Sequence, residues 1–397
     1  MSTISGMGEA GREPDFLHRG GEALIDFRRD LHAHPETGYQ EFRTTERIRA
    51  RLAAAGLEPK ILPGGTGLIC DIGPNRGPVV ALRADIDALP MPDEKNVVYR
   101  STVPGVAHAC GHDVHTTILL GLGLSLAPQA AELTGRVRLL FQPAEEVPGG
   151  ARDVIEAGGI EGVERVFALH CDPSIEVRQV GLVTGPITAS SDKVQVKVTG
   201  PGGHTARPHQ SVDLVQTVAT LATDLPAALS RRIDPRSSHV LVWGRLSAGS
   251  AANVIPGEGE LEGTLRCQSN ETRSQAEQIL RDLVPLVAKA YKAEADLTYV
   301  RGVPPTVNDE ASIQIFREAT ERALGKAAAV PTMQSMGGED FGLYLESIPG
   351  AYVRLGVRTP GSRKKCDLHR GDFDVDEGCI PVGVQLLRAV ALTALGQ

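Results

Sequence analysis

The sequence predicts an α/β fold: a discontinuous domain with a mixed sheet, interrupted by a ferredoxin-like βαββαβ insert. Three observations predict it. At 397 residues the chain exceeds one ordinary core. Apolar strand-like runs alternate with helical periodicity over the first half and again near the end. Between them, six elements read strand, helix, strand, strand, helix, strand. The expected boundaries are 1–187 and 300–397 for the outer domain and 188–299 for the insert.

From Glu22 to Ala55 the apolar positions Leu24, Ile25, Phe27, Leu31, Ile48, Leu52 and Ala55 recur at helical spacing. Pro35 disfavours helix at His34, so two helices flank a turn. His32 and His34 are metal-capable, but a turn beside a helix end commonly holds solvated histidine. A hairpin-like stretch (Leu68 to Ile72) precedes the apolar run Val79–Leu82, which ends in Asp85 and Asp87. Open α/β sheets place their chemistry beyond such strand ends.

Next comes His108-Ala-Cys-Gly-His-Asp-Val-His115, with three imidazoles, a thiol, a carboxylate and no Lys or Arg. That mixture suits a metal. A solvated polar loop is the plainer alternative, and so many metal-capable side chains in so short a run weigh against it. A helix is expected from about Val114 to Ala127. Cys110 and His112 should lie just before it, where the positive helix end favours a thiolate. Asp113 reads equally as that helix's cap or as a support to the site. His115 reads as facing the core or a supporting partner.

The strand Val137–Phe141 leads into Gln142-Pro-Ala-Glu145-Glu146 and a helix from Gly150, and the strand Val166–Leu169 ends on His170. Several strand ends carrying ligand-type residues point to one pocket. A Glu-Glu pair is often a solvated turn, but its place after a buried strand weakens that reading. Asp87 is placed to orient a ligating imidazole from behind.

The insert comprises a strand Lys193–Val198, a helix Val212–Leu229, strands Ser238–Trp243 and Glu260–Arg266, a helix Thr272–Tyr291 and a strand Ala295–Tyr299. The α/β texture then resumes. A helix Glu310–Leu324, the segment Met336–Phe341, a strand Ala351–Leu355, the segment Leu368–Asp374 and a helix from about Pro381 follow in turn. Glu339 and Asp340 line a pocket or cap the segment after them.

Composition narrows the function classes. Hydrophobic content of 41% and charged content of 23% are those of a soluble globular protein. A net charge of -8 argues against a nucleic-acid partner. No uninterrupted apolar run approaches a membrane span. Met1 to Gly21 lacks an apolar signal core and reads as a disordered lead-in to a cytoplasmic protein. The scattered cysteines at 70, 110, 171, 267, 366 and 379 are expected to be reduced.

Arg83-Ala-Asp-Ile-Asp-Ala-Leu-Pro90, His108–His115, Phe141-Gln-Pro-Ala-Glu-Glu146, Gly200-Pro-Gly-Gly-His204, Ala252-Asn-Val-Ile-Pro256, Gly338-Glu-Asp-Phe341 and His369-Arg-Gly-Asp-Phe-Asp374 share number and order with one family. The chain resembles, from about Phe27 onward, the amidohydrolase branch of the aminoacylase/carboxypeptidase metallopeptidases. That branch holds hippurate hydrolases, N-acetyl-diaminopimelate deacetylases and auxin-conjugate hydrolases. The resemblance implies two divalent ions (Mn, Zn, Ni or Co) on Cys110, His112, Glu146, His170 and His369, with Cys110 bridging. It implies Glu145 as general base, His204 as oxyanion donor, and Asn253 and Arg266 on the substrate carboxylate. It implies a lid and dimerisation role for the insert, in a homodimer or higher homo-oligomer. Cys110 and Asp85 stand where the wider family has aspartate and histidine, as is usual in this branch. Arg178 stands where a glycine is expected, at what would be the pocket mouth.

The expected activity is hydrolysis of N-acyl amino acids or related amides. A dipeptidase or carboxypeptidase on the same site is the alternative. An inactive metal-dependent binding protein is a further reading, and so is a thiol-redox role for Cys110, which lacks a second cysteine nearby.

Overall fold

The computed structural model describes residues 13–147, 149–362 and 366–397. The chain divides into two units, one of residues 1–185, 308–333 and 343–397 and one of 186–307 and 334–342. The second unit therefore takes in a short segment well beyond the expected 188–299 insert.

The first unit is built on an eight-stranded sheet, in the order Lys60–Ile61, Leu68–Ile72, Arg136–Gln142, Val79–Asp85, Arg165–Glu176, Gly350–Arg358, Val180–Leu182, Ala329–Pro331. Its central strands run parallel, while Leu68–Ile72 pairs antiparallel with Arg136–Gln142 and Val180–Leu182 antiparallel with Gly350–Arg358, so the sheet is mixed as expected. The strand Val79–Asp85 is buried along its whole length, which accounts for its unbroken apolar run. Register sets Asp85 opposite Gln142, so the segments carrying Asp87 and Glu145 leave the sheet level with each other.

Helix His112–Leu126 packs against the sheet and against helices Glu13–Ala33 and Cys379–Ala394. With the 3-10 turn after it, it is long and apolar enough on average to cross a membrane, though polar residues interrupt it, and it is buried as a core helix. It starts at His112, not Val114, because Gly111 precedes it at φ 87. A side chain at Gly111 would meet the Sγ of Cys171 at 2.8 Å, so glycine serves both the left-handed turn and the close approach.

Three further expectations are corrected. Helix Glu13–Ala33 begins well before Glu22, within the stretch read as a disordered lead-in, whose residues 1–12 lie outside the described residues. The strand expected to end at His170 continues to Glu176. His32 is fully buried, not solvated, between Asp113 and Asp93.

The second unit carries a four-stranded antiparallel sheet in the order His239–Ala248, Glu258–Cys267, Ser191–Thr199, Glu294–Val303. Helices Leu214–Arg232 and Asn270–Ala290 pack on one face, over Val194, Val196, Val198, Leu261 and Leu265. Asp213 and Ser269 cap them. This is the ferredoxin-like βαββαβ arrangement expected.

Candidate metal centre

Two triads of potential ligands form around one thiol. Cys110, His112 and His170 make the first; Cys110, Glu146 and His369 make the second. Within each, the ligand atoms lie within 4.8 Å of one another. Cys110 belongs to both. The two triads together hold all five residues implied by the resemblance.

The imidazoles of His112 and His170 are oriented from behind. The Nδ1 of His112 donates to the carbonyl oxygen of Asp87 at 2.9 Å, and Asp87 Oδ1 lies 3.2 Å away. That leaves His112 Nε2 buried without a hydrogen-bond partner. The Nδ1 of His170 donates to the carbonyl of Cys171 at 2.8 Å, turning its Nε2 to within 3.3 Å of Cys110 Sγ. His369 has φ 58, and its N–H donates to the Ala109 carbonyl at 2.8 Å, tying it to the Cys110 loop. Its Nε2 lies 3.2 Å from Glu146 Oε1.

The electrostatics suit a cation. Burial, with His115 and Arg354 nearby, holds His170 well below the ordinary histidine range, as a neutral nitrogen ligand requires. Burial would also depress His112, but Asp85 and Cys110 outweigh it and raise it well above that range. Hydrogen bonds to Cys110 and Glu146 push His369 up to about 10. Burial pushes the Cys110 thiol up, which His112 and His369 oppose. A site that draws protons onto His112 and His369 while the buried His112 Nε2 lacks a hydrogen-bond partner fits a divalent ion. Thiolate, imidazole and carboxylate together match zinc-like or manganese-like borderline metals.

Glu145 lies outside both triads but within the same distance limit of His112 and Glu146. Asp87 accepts the N–H of Glu146 on Oδ2 at 3.0 Å, so it supports two candidate ligands. Asp113 makes no cap hydrogen bond and instead meets Arg28 at 2.6 Å and His32 at 2.7 Å; neither is a candidate ligand. His115 donates from Nδ1 to Asp85 and accepts the Cys171 N–H on Nε2, so neither nitrogen is left for a metal. Arg83 ion-pairs with Asp85 at 2.6 Å, a role its place in the motif did not reveal. Arg178 takes a left-handed turn at φ 73. It lines a recess with Val177, Gly378, Pro381, Val382 and Gln385, none of them a candidate ligand.

In the second unit, His204 and Asn253 are neighbours on a small two-stranded ribbon. His204 is exposed and its Nδ1 accepts from Ala206 N–H, while the Asn253 carbonyl accepts from Thr205 N–H. Arg266 donates to the Met336 carbonyl at 2.9 Å, and Glu339 and Asp340 are buried. Glu41, which no motif in the chain singles out, accepts a backbone hydrogen bond beside Glu145.

A Rhodococcus jostii protein named a putative glutamate–cysteine ligase is 49% identical over 94% of the chain, which spans 46% of that protein's length. A Bacillus subtilis N-acetylcysteine deacetylase is 39% identical over 94% of the chain and 97% of its own length. A solved Bacillus subtilis structure described as a dinuclear metal binding peptidase from M20 family superposes with a TM-score of 0.85 at 36% identity, over 96% of this chain and 99% of that one. The model for peptidase family M20/M25/M40 matches residues 81–393, and the chain belongs to that family of metal-dependent amidohydrolases and peptidases.

Proposed function

We propose that the protein hydrolyses the amide bond of N-acyl amino acids, with Glu145 as the general base. The observation that carries this is the placement of the two adjacent glutamates: Glu146 completes a ligand triad with Cys110 and His369, while Glu145 shares no triad with Cys110 but comes within 4.8 Å of His112 and Glu146. Cys110, His112, Glu146, His170 and His369 would hold divalent ions, which would supply a water of lowered pKa and a Lewis acid for the amide carbonyl. The Glu145 carboxylate takes the proton of that water as oxygen bonds to the carbonyl carbon. The same carboxyl then passes the proton to the departing nitrogen as the C–N bond breaks, leaving a carboxylate and an amine. Asp87 keeps His112 in the tautomer that offers Nε2 to the metal.

The names of two relatives direct attention to cysteine, so N-acetylcysteine heads the substrate panel. The panel also holds hippurate and other N-acyl amino acids, with dipeptides alongside, assayed on protein stripped by chelator and reloaded with Mn, Zn, Ni or Co. Turnover of acyl-amino acids over dipeptides supports the reading; a preference for dipeptides favours the peptidase alternative. Glu145→Ala should abolish turnover and leave metal content nearly unchanged. Full activity in that variant would sink the base assignment.

A further inference from the structure

The segment Glu36–Glu41 ties together the two strand ends that carry Asp87 and Glu145. The Ala88 N–H donates to the Glu36 carbonyl at 2.8 Å, and Thr37 bridges to Ala88 in parallel. Glu41 stands at the N-cap of helix Phe42–Ala54 yet makes no capping bond. Glu36 does that work, its carboxylate accepting the N–H groups of Arg43 at 3.0 Å and Thr44 at 2.7 Å. The Glu41 carboxyl reaches across instead and accepts the Ala144 N–H at 2.8 Å. Both residues are fully buried, and Ala144 is held at φ 50, a region that side-chain-bearing residues rarely adopt. Gly38 lies under the same turn: a side chain there would meet Val147 at 2.5 Å and the Ala144 Cα at 3.3 Å.

We infer that Glu41 is a positioning residue for the reaction: through the Ala144 amide it holds the turn that presents Glu145 and Glu146. The turn is then gripped on both sides, by Glu41 at Ala144 and by Asp87 at Glu146. A left-handed alanine costs on the order of 1 kcal/mol or more and persists only where its surroundings fix it. Burial pushes the Glu41 carboxyl up to about 7, so reach to the amide matters more here than charge. This inference rests on the amidohydrolase reading of Glu145 and Glu146.

Three variants separate reach from charge: Glu41→Gln keeps the reach, Glu41→Asp keeps the charge and shortens the side chain, and Glu41→Ala removes both. Each is measured for kcat and KM, for metal retention against a chelator, and for amide deuterium uptake. Glu41→Asp and Glu41→Ala should lower kcat about ten- to hundredfold with KM little changed. Uptake should rise across residues 143–147 while helix Phe42–Ala54 stays protected. Glu41→Gln should stay near wild type in kcat and uptake. Wild-type kcat in Glu41→Asp would overturn the inference, as would a Glu41→Gln variant as impaired as Glu41→Asp. If Glu41→Ala does not fold, the Asp and Gln pair decides. Should turnover not depend on Glu145, the hydrolase reading falls, while the deuterium measurement still reports whether Glu41 holds the turn.

Discussion

Asp87 grips His112 twice, with its carbonyl oxygen 2.9 Å and its carboxylate Oδ1 3.2 Å from the imidazole Nδ1. Its other carboxylate oxygen takes the Glu146 N–H at 3.0 Å. One side chain thus orients a nitrogen ligand and an oxygen ligand together. Asp87→Ala should free the Glu146 amide and leave His112 held by the backbone carbonyl alone, and we expect metal affinity or activity to fall about ten- to hundredfold. Competition with a fluorescent chelator measures the first directly. Wild-type affinity and activity together would show that His112 keeps its orientation without Asp87.

Cys110 is shared by the two ligand triads, whereas His170 and His369 each belong to one. Cys110→Ala should therefore deplete both bound metals, and His170→Ala or His369→Ala only one. Elemental analysis after dialysis distinguishes these cases. Loss of a single metal in Cys110→Ala would remove its bridging role.

Much of this centre was legible in the sequence because metal chemistry needs particular residue types. Cys110, His112, Glu145 and Glu146 declared themselves by being close together beyond buried strands. The distribution of supporting roles was not legible. Asp113 resembled a cap because aspartate favours helix starts, yet the helix starts two residues earlier, after Gly111, and Arg28 and His32 claim the carboxylate. His32 lies 81 positions from Asp113, and local periodicity carries no record of such a partner. Likewise the strand through His170 continues because its neighbour Gly350–Arg358 pairs with it as far as Glu176. The ferredoxin-like insert was readable from its element order, since alternation and helical spacing are local properties; its capture of residues 334–342 was not.

His112 and His115 stand one helical turn apart and differ in what their nitrogens do. His115 bonds Asp85 at 2.6 Å and the Cys171 N–H at 2.9 Å, while His112 Nε2 has no such partner. His112→Ala should lose metal and cost less metal-free stability than His115→Ala, since the Asp87 groups alone lose a partner. His115→Ala should retain metal but leave two buried groups unpaired, at about 1–3 kcal/mol each. Denaturant unfolding of the metal-free proteins checks the second cost. If His115→Ala loses metal as readily as His112→Ala, the two histidines are not divided in this way.

Glu41 gives a pH signature in the metal-free protein. Burial raises its carboxyl from the ordinary 4.5 to about 7 in the folded state. The protonated form is thus favoured by folding. Its stabilising contribution is fully present below about 4.5 and is lost as pH rises through about 7. Glu41→Gln mimics the protonated form at every pH and still offers an oxygen to Ala144. Its melting temperature should therefore match wild type near pH 4.5 and exceed it increasingly up to pH 7, with the gap constant above that. Melting curves of both proteins across this range, with chelator present throughout, test the sign. A gap that shrank as pH rose would mean that the carboxylate, and not the acid, is the form the fold prefers.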